Sequence, residues 1–258
     1  MEQQTIPWKT VWKTVWITGA SSGIGRRLAL DLAGLGATVA VSARSADELA
    51  QLAAENANIR SYPLDVTDLA ACRKTAKSVE ADIGPLDLVI MAAGVWIIRD
   101  IESFQAEDSI KSMRVNYEGA ASVIDAVLPS MMKRRAGHIA PVASVAGYRG
   151  IPRAVTYAPT KAALISMAEA LRTDAARHGI KVQIINPGFV RTPMTDSNDF
   201  PMPFLLEPED ASRRIIAGLK SDRFEVVFPT RLALIMKLLR LLPYRVYFWL
   251  MARFVQRA

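Results

Sequence analysis

The stretch Val15-Trp16-Ile17-Thr18-Gly19-Ala20-Ser21-Ser22-Gly23-Ile24-Gly25-Arg26-Arg27-Leu28 constrains this chain most, because it reads as a buried strand, a glycine turn and a helix start in immediate succession. Gly19 can take a backbone conformation closed to residues with side chains, while Gly23 and Gly25 let the main chain approach a ligand and let the helix sit close on the strand. Free N–H groups of the helix's first turn, at the positive end of its dipole, then face an anion, so the turn predicts a phosphate cradle. A nucleoside triphosphatase needs Gly-Lys-Ser/Thr after its last glycine. Here Arg26-Arg27 follow Gly25, which leaves a dinucleotide as the better ligand.

The chain beyond this turn alternates. With 258 residues and 51% hydrophobic content it can bury a large core in one domain. Gly34 and Gly36 close the first helix, and Ala37 to Ser42 is the continuous β-prone run of a buried parallel strand. A helix near Ala46 to Asn56, a strand at Ile59 to Leu64, a helix at Asp68 to Ile83 and a strand at Leu86 to Met91 continue the βαβ rhythm. Past Asp108 comes a long helix carrying Asn116, then Pro129, then a basic surface loop from Lys133 to Gly137. In the following strand, Gly137 to Ser144, Pro141 cannot donate to a central ladder and predicts a bulge or an unpaired side. A helix starting near Ala154, a strand at Lys181 to Ile185 and a last strand at Phe224 to Phe228 complete the pattern. The expected fold class is α/β, a single Rossmann-type doubly wound parallel sheet with helices on both faces. The catalytic domain covers residues 1–228, and residues 229–258 form a C-terminal extension of amphipathic helices. A repeated tetrapeptide, Trp8-Lys9-Thr10-Val11 and Trp12-Lys13-Thr14-Val15, precedes the first strand, and its physical reason is not evident.

The residues that close the second strand choose the cofactor. A carboxylate there would accept both ribose hydroxyls of NAD(H), whereas this chain has Ala43-Arg44-Ser45. A guanidinium matches a 2′-phosphate with paired charge-assisted hydrogen bonds, so NADP(H) is favoured; the plain alternative is that Arg44 is a solvated loop residue. Tyr157 and Lys161, four apart on one helix, present both side chains on the same face. A phenol titrating near pH 10 is a poor acid and base at neutral pH, and an adjacent ammonium is expected to pull it down. Ser144 ends a strand, where doubly wound folds place their ligands.

Thr18 to Gly25 follow the spacing Thr-Gly-x-x-x-Gly-x-Gly, Ala92-Ala93-Gly94 closes the fourth strand, Asn116 and Ser144 precede Tyr157 by forty-one and thirteen residues, and Pro187-Gly188 follows Lys161. In this order and spacing the chain resembles the short-chain dehydrogenase/reductase family over residues 14–195. The resemblance implies a metal-independent carbonyl/alcohol oxidoreductase. Tyr157 would protonate the carbonyl oxygen, Ser144 would hold that oxygen, Lys161 would lower the tyrosine's pKa and hold the nicotinamide ribose, and Asn116 would fix a water that relays protons to Lys161. Cofactor contacts would come from Gly19, Ser21, Ser22, Gly23, Ile24, Gly25, Arg44, Asp65, Ala93, Gly94, Tyr157, Lys161, Pro187, Gly188, Val190 and Thr192. Asp65 would lie on the adenine edge, with a turn aspartate as the alternative. Ala92 stands where the family has asparagine, and Pro159 between Tyr157 and Lys161 is unusual, although the first turn of a helix tolerates a missing N–H.

Residues Thr192 to Pro208 hold Met194, Phe200, Met202, Phe204 and Leu205 among prolines, which suits a lid with an apolar inner face, and Trp96, Ile97 and Ile98 add to the same pocket. A lipid-like or otherwise bulky hydrophobic carbonyl or alcohol is therefore the expected substrate rather than a sugar; the plain alternative for any one of these residues is ordinary core packing. The net charge of +7 is concentrated at the end: six basic residues and no acid follow Phe228, leaving the body at +1 and arguing against a nucleic-acid groove. Pro229 to Ala258 reads as two amphipathic helices broken at Pro243. In the first, Leu232, Leu234, Ile235, Leu238, Leu239 and Leu242 oppose Lys237 and Arg240; in the second, Arg245, Trp249, Arg253 and Arg257 oppose Tyr247, Phe248, Leu250, Met251, Phe254 and Val255. No apolar run is long enough to span a bilayer, so a flat seat on an anionic membrane is expected, against packing on the lid or on a second subunit. A homo-oligomer is compatible with this reading.

Met1 to Pro7 lack a secretory pattern and a single cysteine, Cys72, suits a reducing compartment, so the expected location is cytoplasmic, at the inner face of a membrane. His138 and His178 have no ligand partners at metal spacing. The readings from other classes are a dinucleotide-binding sensor without turnover and a membrane-surface scaffold. A sensor need not keep Asn116, Ser144, Tyr157 and Lys161 together.

Overall fold

The computed structural model describes residues 12–196 and 198–254. Trp8 to Val11 of the repeated tetrapeptide, Arg257 and Val255 lie outside them. Trp12 precedes the first strand and packs against the His138 ring at 5.9 Å between centroids. Five parallel pairings order six strands as β3 (Ile59–Ser61), β2 (Thr38–Ser42), β1 (Thr14–Thr18), β4 (Leu88–Met91), β5 (Gly137–Pro141) and β6 (Ile180–Val182). Alternate side chains of the buried strands feed two cores. Val15 and Ile17 face α1 (Gly23–Gly34), α2 (Ala46–Glu55) and α7 (Pro208–Leu219), whereas Trp16 faces α3 (Leu69–Ile83), α5 (Gly119–Arg134) and α6 (Ala158–Arg177). Trp16 remains satisfied in the core because its Nε1 donates to Ser42 Oγ at 3.0 Å. The expected doubly wound sheet, with helices on both faces, is what the chain adopts.

Several boundaries move, each for a local reason. The third strand stops at Ser61 rather than Leu64 because Pro63 interrupts it, although Tyr62 and Leu64 still donate to β2-side carbonyls. The single long helix expected around Asn116 is α4 (Ala106–Met113), a π turn (Arg114–Glu118) and α5. Pro129 lies inside α5, and Lys133 and Arg134 form its last turn rather than a loop. The helix expected from Ala154 begins at Ala158, because Pro159 fits only the first turn and so pins the start; Tyr157 becomes its N-cap.

Pro141 pairs with Met91 on one side. On the other, Ile139 pairs with Val182 and Val142 with Ile185, so the missing N–H of Pro141 falls opposite the Gln183 carbonyl. There the expected strand splits into β6 and β7 (Ile184–Pro187), and β7 goes on to pair with β8 (Glu225–Phe228).

Two helices follow, α8 (Thr230–Leu241) and α9 (Tyr244–Phe254), separated at Pro243. The apolar stripe expected on α8 divides: Leu232, Ala233 and Met236 join the core, while Leu234, Ile235 and Leu238 face outward. Among the described side chains of α9 only Tyr247 is buried, and Phe248 is exposed beside Trp249, not opposite it.

Candidate active site

The glycine turn joins β1 to α1 at the C-terminal end of the sheet. Gly19 has φ +71°, and a Cβ there would lie 2.4 Å from Ala93 N; one on Gly25 would lie 2.3 Å from the Gly19 carbonyl oxygen. Both positions demand glycine, because backbone stands in the way. Gly23 (φ +54°) approaches Thr192, whose Cγ2 would be 2.9 Å from its Cβ. The turn is moored to β2, with Gly19 N donating to the Ser42 carbonyl at 2.7 Å. Ser22 stands at the N-cap without a side-chain cap bond, so its hydroxyl leaves the first N–H groups of α1 to another acceptor, and Thr18 Oγ1 is buried without a partner among the described residues. An uncapped helix start, a glycine cradle and an orphaned hydroxyl fit a dinucleotide phosphate. Ser21 and Ile24 belong to the same turn.

Arg44 is exposed two residues beyond β2, and among the described residues its guanidinium makes no hydrogen bond or ion pair. Asp65 sits four residues past the shortened β3 and accepts from Thr67 N (2.9 Å) and Thr67 Oγ1 (2.8 Å), which hold its carboxyl below the usual range. That is the geometry of a turn aspartate, and its outer face still borders Arg44 electrostatically.

Two polar side chains, Asn116 and Lys161, meet at the turn after β4. The π turn points Asn116 inward, where its Oδ1 accepts from Val95 N (2.7 Å) and its Nδ2 donates to the Val95 carbonyl (3.1 Å) and Thr160 Oγ1 (3.0 Å). Gly94 is the floor of this group: a Cβ there would lie 3.2 Å from Asn116 Oδ1 and 3.7 Å from Lys161 Nζ. Ala92, in the asparagine position, keeps the backbone tie, donating to the Thr18 carbonyl at 3.0 Å. Lys161 is buried and donates to the Val142 carbonyl at 2.9 Å, and burial pushes its pKa down to about 8. Its Nζ lies 5.3 Å from the Tyr157 ring centroid. Ser144 Oγ accepts from Ala146 N at 3.1 Å and donates to the Pro187 carbonyl at 3.3 Å, drawing the strand end and the Pro187-Gly188 turn together.

The expected lowering of the Tyr157 pKa is not found. Burial pushes the phenol up to about 12, with contact toward the Ser144 side chain pulling the other way. Desolvation of the buried phenol outweighs the pull of the Ser144 hydroxyl. Trp96 stands edge-on to Tyr157 at 4.8 Å and 81°. From the lid, Asn198 Oδ1 accepts from Trp96 Nε1 at 2.8 Å, and Asp199 takes a bidentate pair from Arg153 (2.8 and 3.0 Å) while Arg153 Nε also meets Asp100 at 2.9 Å. Phe200 lies 6.1 Å from Phe189, whereas Met194 and Phe204 are partly exposed. Val190 bridges to Leu206, and Thr192 N donates to Thr195 Oγ1 at 3.0 Å, fixing the lid's near end.

Sequence reasoning missed Thr160 and Arg153. Thr160 is buried and ties Asn116 to the Tyr157 carbonyl (2.7 Å); its placement three residues after Tyr157, on the inward side of α6, was the available signal. Arg153 (φ +63°) had no local signal, since its partners are far away in sequence.

A family model described as short chain dehydrogenase matches residues 13–200. An uncharacterized oxidoreductase of Myxococcus xanthus is 38% identical over 231 residues, covering 88% of this chain and 91% of the relative. A dehydrogenase/reductase SDR family protein 7-like of Anopheles gambiae is 30% identical over 257 residues, covering 92% and 81%. The crystal structure of a short-chain dehydrogenase from Streptomyces avermitilis superposes with a TM-score of 0.80 at 26% identity, covering 88% of this chain and 91% of that one. A short chain dehydrogenase from Burkholderia cenocepacia in complex with NADP shares the fold, with a TM-score of 0.80 at 23% identity, covering 90% and 94%.

Proposed function

Because the chain belongs to the short-chain dehydrogenase family and is an NAD(P)-dependent oxidoreductase, we propose that it uses NADP(H) to interconvert a hydrophobic carbonyl compound and its alcohol, with Tyr157 as the proton donor and acceptor. The observation that carries this reading is that Asn116 and Lys161 both meet Gly94, the Lys161 ammonium lies 5.3 Å from the Tyr157 ring and Ser144 binds the Pro187 carbonyl, all beyond the same end of the sheet as the glycine turn and Arg44.

When bound, the nicotinamide supplies or accepts hydride. The chain does the rest. Tyr157, with its pKa near 12, keeps its phenolic proton at neutral pH and offers it to the carbonyl oxygen as negative charge builds there. Ser144 holds the same oxygen by exchanging its bond to the Pro187 carbonyl for one to substrate. Lys161 brings positive charge below the phenol, and Asn116, locked by Val95 and Thr160, keeps the floor at Gly94 open for the ribose and a relaying water. The turn residues Gly19 to Gly25 receive the diphosphate, Arg44 the 2′-phosphate, Asp65 the adenine edge, and Ala93, Gly94, Pro187, Gly188, Val190 and Thr192 the nicotinamide half. Trp96 against Tyr157 and the aromatic lid favour an apolar, lipid-like substrate over a sugar. A cytoplasmic location and peripheral contact with the inner face of a membrane through residues 229–258 belong to the same reading.

The test follows cofactor absorbance with NADPH or NADH and a panel of lipid and steroid ketones. Turnover of an apolar ketone with preference for NADPH is expected. Equal use of both cofactors, or activity confined to sugars, overturns the assignment.

A further inference from the structure

Among the described residues seventeen large hydrophobic side chains are exposed, and eight of them lie on α8 and α9, led by Leu241 at 80%, Tyr244 at 72% and Phe248 at 62%. Scattered singly such residues are ordinary; concentrated on two consecutive helices they mark a surface that is covered in use. The inward side of the helices is already occupied by Leu232, Met236 and Tyr247. Of the five basic residues between Pro229 and Phe254, only Lys237 finds an acid, Glu225; Arg231, Arg240, Arg245 and Arg253 form no ion pair among the described residues. That segment contains no acid at all.

We propose that the outward face of α8 and α9 seats the enzyme on an anionic membrane surface and brings the active-site cleft to a substrate dissolved in the bilayer; the second half of this statement rests on the apolar substrate proposed above. Charge selects the occupant. A second copy docked by the same patch would set these cations against one another across a two-fold axis, whereas an anionic lipid surface neutralises them while the Leu, Phe, Tyr and Trp side chains enter the headgroup boundary. Helices of 12 and 11 residues lie on a bilayer rather than cross it, and no helix among the described residues is long and apolar enough to span one.

The seat is joined to the cleft. Leu232 and Pro229 pack so closely on the Pro187-Gly188 turn that a Cβ on Gly188 would lie 2.7 and 2.9 Å from them. Arg149, five residues after Ser144, donates to the carbonyls of Leu239, Arg240 and Leu242 at 2.8 to 2.9 Å and lies over the rings of Tyr244 (5.0 Å) and Tyr247 (4.1 Å). Tyr247 in turn donates to the Gly150 carbonyl. The docking helices and the loop that carries Ser144 are thus one packed unit.

The experiment compares the full chain with the quadruple variant Leu238→Gln, Leu241→Gln, Phe248→Gln and Trp249→Gln by co-sedimentation with phosphatidylcholine vesicles, with and without phosphatidylserine. All four side chains are exposed, so the fold tolerates their loss, as an unchanged unfolding midpoint and NADPH affinity check. The parent is expected to favour the anionic vesicles, less so as salt is added, and the variant to lose at least about tenfold in partition. A parent that stays in the supernatant with anionic vesicles at low salt overturns the proposal, as does a variant that binds equally well. A parent dimer that the variant dissolves, without vesicle binding, assigns the face to a second copy and overturns it too. NADPH oxidation with a water-soluble ketone, in the absence of vesicles, reports the catalytic reading separately.

Discussion

Each residue of the site is held by a contact that makes its failure specific. Tyr157→Phe removes one oxygen and leaves the Trp96 edge contact, so NADPH binding is expected to survive while kcat falls about a hundredfold or more; a variant keeping a tenth of parental kcat removes the proton-donor role. The pH dependence follows from the lysine. Its pKa is lowered to about 8, so the ammonium is present below that pH and lost as pH rises through it, whereas Tyr157 stays protonated to about 12. Reductive kcat/KM is therefore expected to be level near neutrality and to decline above about pH 8; a profile level through about pH 10 detaches Lys161 from the reaction. Arg44→Ala is expected to cost NADPH about 1.5 to 3 kcal/mol, a tenfold to hundredfold loss in affinity, and NADH almost nothing, as titration calorimetry with each cofactor would read.

At the scale of elements, the glycine turn is least forgiving. A Cβ at Gly19 would drive into the backbone of Ala93 and hold a left-handed φ, so Gly19→Ala is expected to lower stability by more than about 1 kcal/mol, seen as a reduced urea midpoint. This element was legible because its signal is contiguous: β-branched run, glycine, helix. The four polar residues stood out because their order and spacing match the motifs of the short-chain dehydrogenase family. Illegible were features that depend on distant or subtle competition. A π turn at Asn116 differs from an α-helix by one residue per turn and leaves no mark in apolar periodicity, and the late start of α6 depended on reading Pro159 as a boundary rather than as an oddity. The lid latch joins Arg153 to Asp199 across 46 residues, and the division of α8 into inward and outward leucines is decided by packing that periodicity does not encode. The direction of the Tyr157 shift required knowing how deeply the pair is buried.

For the whole molecule, cofactor binding is expected to act as a stabiliser. NADPH at a hundred times its Kd adds about 2.7 kcal/mol and raises the unfolding temperature by several degrees, NADH at the same concentration less; equal shifts from the two would contradict a selective site. How the molecule bends is set by Pro141. An unbroken parallel sheet deflects as a plate, because tilting any strand strains a rung on each side. Here one rung is missing between β5 and the Gln183 carbonyl, with Gln183 N and Ala143 N bonded just before and after it. The sheet therefore carries a crease, and the leaf beyond it, made of β7, β8 and the helices α7 and α8 packed on β8, is joined to β5 by one backbone bond fewer. That crease lies on the strand that leads to Ser144, three residues before it, and is made by the absence of a single hydrogen atom.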